Sequence, residues 1–261
     1  MKEKGNQTQN YFDHILVIQT AFIGDVILTT PLLRATKRGF RQASVDVLVT
    51  PRTAELLASN PCVDRIIPYD KRGEERGVVN LLKLARALRR QNYDLALIPH
   101  RSWRSAFLTL LAKIPIRIGF DTSPGSLFYT QKVRYRKGVH EAVRNLDLLS
   151  PFELNNSADP TPEMFTSQAD EQRALEMLRR HNVEDGRAII GVGAGSVWPT
   201  KRWLPEGFAE VSDRLMAERK AEVIFFGGPE DAALCEHISS MMDRLPIIGA
   251  GSLSLKESAA L

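Results

Sequence analysis

Four stretches of this chain hold residues whose types and spacing could do chemistry. In Gln19-Thr-Ala-Phe-Ile-Gly24-Asp25-Val an aspartate follows a short apolar run and stands at or near a helix start. Ligands of open parallel sheets sit outside the carboxyl ends of strands, so Asp25 would face that crevice. A carboxylate there can take a proton from a hydroxyl, and Gly24 allows close approach. The alternative is an acid stabilised only by the helix dipole. In Gly191-Val-Gly-Ala-Gly195-Ser196-Val-Trp-Pro-Thr-Lys201-Arg202-Trp203 a glycine-rich turn is followed by two cations. Exposed backbone N–H groups with Lys201 and Arg202 suit a diphosphate, and a flexible turn with a solvated basic pair is the plainer alternative. The turn is neither a dinucleotide fingerprint nor a Walker loop.

The third stretch, Phe225-Phe226-Gly227-Gly228-Pro229-Glu230-Asp231, is again strand, turn and helix. Its glycines permit tight approach, and Glu230 could take a ribose hydroxyl. A helix start with Pro229 first and acids in its first turn explains the same residues. The fourth is Pro99-His100-Arg101-Ser102-Trp103-Arg104. With His140, Arg144 and Asn145 it could line a site with positive charge for an anionic or sugar acceptor, or form a solvated loop and helix face. Neither His100 nor His140 has a partner at metal-ligand spacing, so no metal is expected. No G-x-S-x-G elbow is present, which disfavours a serine hydrolase.

Positioning these residues needs strands ending just before them and helices beginning just after. The pattern supplies both. Strand candidates are His14 to Gln19, Ser44 to Val49, Arg65 to Pro68, Asp94 to Pro99, Ile116 to Ile118, Ala188 to Val192, Glu222 to Phe226 and Pro246 to Ile248. Helices are expected over Gly24 to Lys37, with a kink or late start at Pro31, and over Arg52 to Ser59. Others are expected over Val78 to Arg90, Ser102 to Ala112, Val139 to Leu149, Ala169 to Arg180, Glu206 to Glu218 and Glu230 to Met242. The Val78 helix would bury Leu81, Leu82, Leu84, Ala85 and Leu88. Such alternation predicts parallel sheets covered on both faces. Residues 151–165, with Pro151, Pro160 and Pro162 among polar neighbours, read as a linker. The expected domains are therefore 1–150 and 166–261. Ser254-Leu-Lys-Glu257 has capping-box spacing, and three strands fall short of the usual doubly wound sheet, so an incomplete second unit is expected.

With 261 residues the chain has room for one large or two small domains. An apolar fraction of 43% and a charged fraction of 25% exclude disordered and fibrous classes. No run approaches a membrane span. The polar leader Met1 to Asn10 lacks the form of a signal peptide. Two cysteines, Cys62 and Cys235, lie far apart, which fits a reduced cytoplasmic protein. The net charge of +4 would suit a phosphorylated ligand, nucleic acid or an anionic membrane surface, but on charge alone ordinary solvated charge is a better explanation than any one of these.

Several residues in order resemble a known family. They are Ile23-Gly24-Asp25-Val-Ile-Leu-Thr-Thr-Pro31, Val45-Asp-Val-Leu-Val, Tyr93-Asp94-Leu-Ala-Leu-Ile-Pro, Ser105-Ala, Ile114-Pro-Ile-Arg117-Ile-Gly119, Gly193-Ala-Gly-Ser196, Lys201-Arg-Trp203-Leu-Pro and Phe226-Gly-Gly. The set is similar to the ADP-heptose:lipopolysaccharide heptosyltransferases of glycosyltransferase family 9, nearest to the second heptosyltransferase. The resemblance implies an α/β fold of the GT-B type, two Rossmann-like domains facing a cleft, here with the second incomplete. It implies inverting, metal-independent transfer of heptose from ADP-heptose to the lipopolysaccharide inner core, in the cytoplasm at the inner-membrane surface. No cofactor and no nucleic acid partner is implied. By resemblance Asp25 matches the general base and Lys201 the lysine that neutralises the leaving diphosphate. Ser196, Lys201, Arg202, Gly227, Gly228 and Glu230 fall on the donor side. Gly24, Arg101, Trp103, His140 and Arg144 are expected on the acceptor side. The family's D-[ST]-G-x-x-H motif is absent. A transferase for another nucleotide-sugar, or a non-catalytic remnant that binds acceptor only, are the alternatives.

Overall fold

A computed structural model of the chain describes residues 12–71 and 73–261, so the leader Met1 to Asn10 lies outside the described residues. The chain divides into two compact units, Met1–Phe165 and Thr166–Leu261.

In the first unit six strands form one sheet: β1 (His14–Gln19), β2 (Ser44–Val49), β3 (Arg65–Pro68), β4 (Leu95–Ile98), β5 (Ile116–Phe120) and β6 (Gln131–Val133). Their order is β3-β2-β1-β4-β5-β6, with every neighbouring pair parallel. Parallel strands linked by crossover helices must be apolar on both faces. In β1, Ile15, Leu16, Val17 and Ile18 are accordingly fully buried, and each such side chain contributes about 1.5–3 kcal/mol through burial. The sixth strand was not expected from the sequence: Gln131-Lys-Val buries one residue and has no apolar run.

The helix expected over Gly24 to Lys37 is two helices, α1 (Ile23–Ile27) and α2 (Thr30–Gly39). Pro31 sits in the first turn of α2, where its missing N–H costs nothing. At the break, the Thr29 hydroxyl donates to the Asp25 carbonyl at 2.7 Å and Leu28 N–H to Gly24 O at 2.8 Å. After β2 comes α3 (Pro51–Ala54), which runs on as a 3-10 turn. Next is α4 (Val78–Arg89), which buries Leu81, Ala85 and Leu88, whereas Leu82 is exposed. After β4 and β6 come α5 (Trp103–Leu111) and α6 (Glu141–Leu146).

Residues 151–165, expected as a linker, are a strap on the first unit. Phe152 packs edge-on against Phe12 and Phe40 at 5.5 and 5.2 Å. Arg34, on α2 and only 6% exposed, donates to the carbonyls of Asp159 and Thr161 at 2.7 and 3.1 Å. It also pairs with the carboxylates of Asp159 and Glu163. A buried guanidinium is tolerated only when its donors are met in this way.

The second unit holds α7 (Gln168–Arg180), β7 (Ile189–Gly193), α8 (Pro205–Glu218), β8 (Glu222–Phe226), α9 (Ala232–Ser239), β9 (Ile247–Ile248) and α10 (Leu255–Ala260). Its sheet is parallel in the order β7-β8-β9. The core is built on Val223 and Phe225 of β8 with Ala209, Met216, Cys235 and Ile238. The Ser254 capping box forms: Glu257 N–H donates to Ser254 Oγ at 3.1 Å, and Ser254 N–H to Glu257 Oε2 at 2.7 Å. Among the described residues no helix is long and apolar enough to cross a membrane.

Candidate functional site

The order β3-β2-β1-β4-β5-β6 reverses between β1 and β4, and at such a switch point a crevice opens beyond the strand ends. Thr20 follows β1 and His100 follows β4 by one intervening residue. Their Oγ1 and Nδ1 atoms lie 3.2 Å apart, bridging the switch point. Lys71, beyond the end of β3, donates to the Thr20 carbonyl at 2.5 Å and to Thr20 Oγ1 at 3.1 Å. Burial, reinforced by the positive charge of Lys71, pushes the His100 pKa down to about 4, although the Asp25 carboxylate pulls the other way. His100 is therefore neutral at pH 7.

Asp25 is the third residue of α1 and half-buried. Its Oδ2 accepts the Phe22 N–H at 3.0 Å. Among the described residues no donor is recorded on Oδ1. The carboxylate thus caps its own helix through one oxygen and leaves the other unengaged among the described residues. Gly24 is exposed, with open space where a side chain would begin.

The structure brings Arg101 and Arg144 together on one aromatic ring: both guanidinium carbons stand over Tyr135, at 4.3 and 4.2 Å from its centroid. Arg144 is 8% exposed and also pairs with Glu141 at 2.7 Å. Its helix, α6, is tied to the α1–α2 break, because Asn145 Nδ2 donates to the Leu28 carbonyl at 3.0 Å. Trp103 is half-exposed at the start of α5 and leans on Phe107. The His140 side chain, at the start of α6 one turn before Arg144, is exposed and makes no hydrogen bond or ion pair among the described residues.

In the second unit the turns after β7 and β8 close around one acid, Asp231. A Cβ placed on Gly195 would stand 2.1 Å from Asp231 Oδ1, and one on Gly227 would stand 2.7 Å from Asp231 Cβ. Only glycine leaves room for this carboxylate, which also accepts the Gly228 N–H at 3.1 Å. Glu230, favoured by the sequence, folds its carboxylate back over Gly228 instead. Arg202 Nε donates to the Ser196 carbonyl at 2.8 Å, and Ser196 Oγ accepts the Trp198 N–H at 3.3 Å. Arg202 and Ser196 therefore brace the turn. Lys201 is exposed in the 3-10 turn Pro199–Lys201, and its ammonium has no ion pair among the described residues. The described residues bring together no cluster of three or more metal-ligating side chains.

The model of glycosyltransferase family 9 (heptosyltransferase) matches residues 81–261. The chain belongs to glycosyltransferase family 9. It is 27% identical over 252 residues to lipopolysaccharide heptosyltransferase 3 of Escherichia coli K12, covering 91% of this chain and 71% of that protein. Among solved structures it is similar to the family 9 glycosyl transferase of Veillonella parvula, at 26% identity and a TM-score of 0.87, over 95% of this chain and 72% of that one. It shares the fold of E. coli ADP-heptose lipopolysaccharide heptosyltransferase II, at 24% identity and a TM-score of 0.77, over 95% and 76% of the two chains. The fold is thus that of the GT-B heptosyltransferases, and the protein is a glycosyltransferase.

Four residues of the candidate site carry too little local signal to be picked out from sequence. Thr20 and Lys71 are 51 positions apart and meet only because β1 and β3 end at the same edge. Tyr135 follows a strand that has no apolar pattern. Asp231 stood in a recognised motif, and only the three-dimensional closure of two glycine turns separates it from Glu230.

Proposed function

We propose that this glycosyltransferase moves heptose from ADP-heptose to the lipopolysaccharide inner core, with inversion at the anomeric carbon and without a metal. We place it in the cytoplasm, peripheral to the inner membrane. The family and the heptosyltransferase relatives support the sugar and the pathway. The observation that carries the mechanism is Asp25 at the switch point, with one carboxylate oxygen engaged by its own helix and the other open.

In this reading Asp25 takes the proton of an acceptor heptose hydroxyl as that oxygen attacks the anomeric carbon. The bond to the β-phosphate oxygen breaks, and ADP leaves with the electron pair. A single displacement inverts the configuration. Lys201 offsets the charge that grows on the leaving diphosphate. Arg202 and Ser196 hold the turn that presents Lys201, and Gly227 and Gly228 belong to the donor side with it. Asp231, rather than Glu230, is placed to accept a hydroxyl of the donor, since an acid over the Gly195 turn repels a bare phosphate there. Gly24, Arg101, Trp103, His140 and Arg144 serve the acceptor, with the Tyr135-stacked arginines meeting its negative charge.

The test supplies ADP-heptose and a deacylated inner-core acceptor and follows ADP release with and without a chelator. The expected result is acceptor-dependent release, insensitive to the chelator, with an inverted linkage by NMR. Transfer from a different nucleotide-sugar alone would overturn the donor assignment.

A further inference from the structure

The Lys71–Thr20–His100 chain joins residues from three strand ends at the switch point, and the mechanism above leaves it without a task. We propose that His100 binds the acceptor sugar, donating a hydrogen bond from Nε2–H to an acceptor oxygen next to the hydroxyl that reacts. The proposal rests on the function proposed above and names a further contact within that site.

The direction of the hydrogen bonds carries the argument. A lysine ammonium can only donate. Lys71 therefore occupies one lone pair of Thr20 Oγ1, at 3.1 Å. Thr20 Oγ1 keeps its proton and a second lone pair, and the proposal takes that proton to be given to His100 Nδ1, 3.2 Å away. With Nδ1 accepting, a neutral imidazole carries its proton on Nε2. Three charged groups act on the ring: Lys71 and Arg101 disfavour a charge on it, and Asp25 favours one. With burial on the side of the two cations, the ring stays neutral, and its free nitrogen is a donor of fixed orientation. Among the described residues Nε2 has no partner. A neutral donor also suits the neighbourhood of a general base, because a further cation there would stabilise the Asp25 carboxylate and weaken it as a base.

The experiment uses the full chain, with deacylated inner-core oligosaccharide and ADP as separate probes in titration calorimetry. His100→Ala is expected to weaken oligosaccharide binding by roughly two- to twelvefold, the range of a neutral hydrogen bond, and to leave ADP binding unchanged. His100→Gln, which keeps an N–H donor, is expected to restore most of the loss. Nitrogen-15 NMR of the wild-type imidazole gives a readout that survives any folding defect in the variants. It is expected to show the Nε2–H tautomer from pH 8 to 5 and a shift with oligosaccharide but not with ADP. An Nδ1–H tautomer, or oligosaccharide binding unchanged in His100→Ala, overturns the proposal. Wild-type protein that binds ADP but not the oligosaccharide refutes the acceptor reading itself, and this inference with it.

Discussion

In the proposed reaction Asp25 serves structure and chemistry at once. Its Oδ2 caps the Phe22 N–H, so a change to Asn can keep that acceptor while removing the base. Asp25→Asn is expected to cut turnover by the ~10²–10⁴-fold typical of general base catalysis, with ADP affinity unchanged. Wild-type turnover in steady-state kinetics would leave only the capping role. On the proposed donor side, Lys201 and Arg202 are adjacent in sequence but differ in their bonding. Arg202 is spent on the Ser196 carbonyl, whereas the Lys201 ammonium has no ion pair among the described residues. Lys201→Ala is expected to raise the donor KM and lower kcat, and to do so more than Arg202→Ala, because it removes charge stabilisation from ground and transition states alike. An effect confined to the acceptor KM would contradict the assignment. Asp25 and Lys201 were open to proposal from the sequence because each follows a strand at a turn. Thr20 and Lys71 were not, because their meeting depends on strand order, which no local window of sequence contains.

At the scale of elements, most strands and helices could be read because burial imposes a period on them. Pro31 marked the α1–α2 break for a mechanical reason, and the Ser254 box formed as its spacing required. The failures also have physical causes. β6 is held by its neighbour β5 rather than by its own apolar pattern. The strap over 151–165 has a linker's composition, yet Arg34 and the Phe12–Phe40–Phe152 cluster fix it from residues more than a hundred positions away. A second capping box, Ser167 with Asp170, starts α7, and Lys256 of α10 reaches Asp170 at 3.0 Å. Hydrogen bonds from the Ser167 hydroxyl and backbone, with Lys256 adding to them, hold the Asp170 pKa down to about 2. An ordinary aspartate titrates near ~3.9 in an unfolded chain. A lowered folded value means stability that is present above about pH 4 and lost as pH falls through about 2. The α7–α10 contact is thus expected to loosen over that window. Urea midpoints measured at pH 5, 3 and 2 should fall less steeply in Asp170→Asn than in wild type. Equal slopes would place the acid sensitivity elsewhere.

At the scale of the whole molecule, the alternation of strand and helix was enough to announce parallel sheets. It was not enough to give their order, and the order creates the switch point where Thr20 meets His100 within reach of the Asp25 charge. The two sheets also differ in how deeply they are sealed, and this makes a prediction about the chain as a unit. β1 lies in the middle of six strands, between β2 and β4, with four consecutive side chains fully buried. To expose its amides, both neighbours and the helices on both faces must open together. β8 is the middle strand of three, with Val223, Ile224 and Phe225 fully buried, but its partner β9 contributes only two residues. β7 ends its sheet, and Ile189 is 38% exposed. Local opening costs least where few buried contacts must break. Hydrogen exchange on the full chain should therefore be slowest in β1, intermediate in β8 and fastest in β7. Strong protection in the first unit with weak protection in the second is the expected picture. If the amides of β7 and β8 were protected equally, and as strongly as those of β1, the three-stranded sheet would be as cooperative as the six-stranded one, and burial would not be what ranks them.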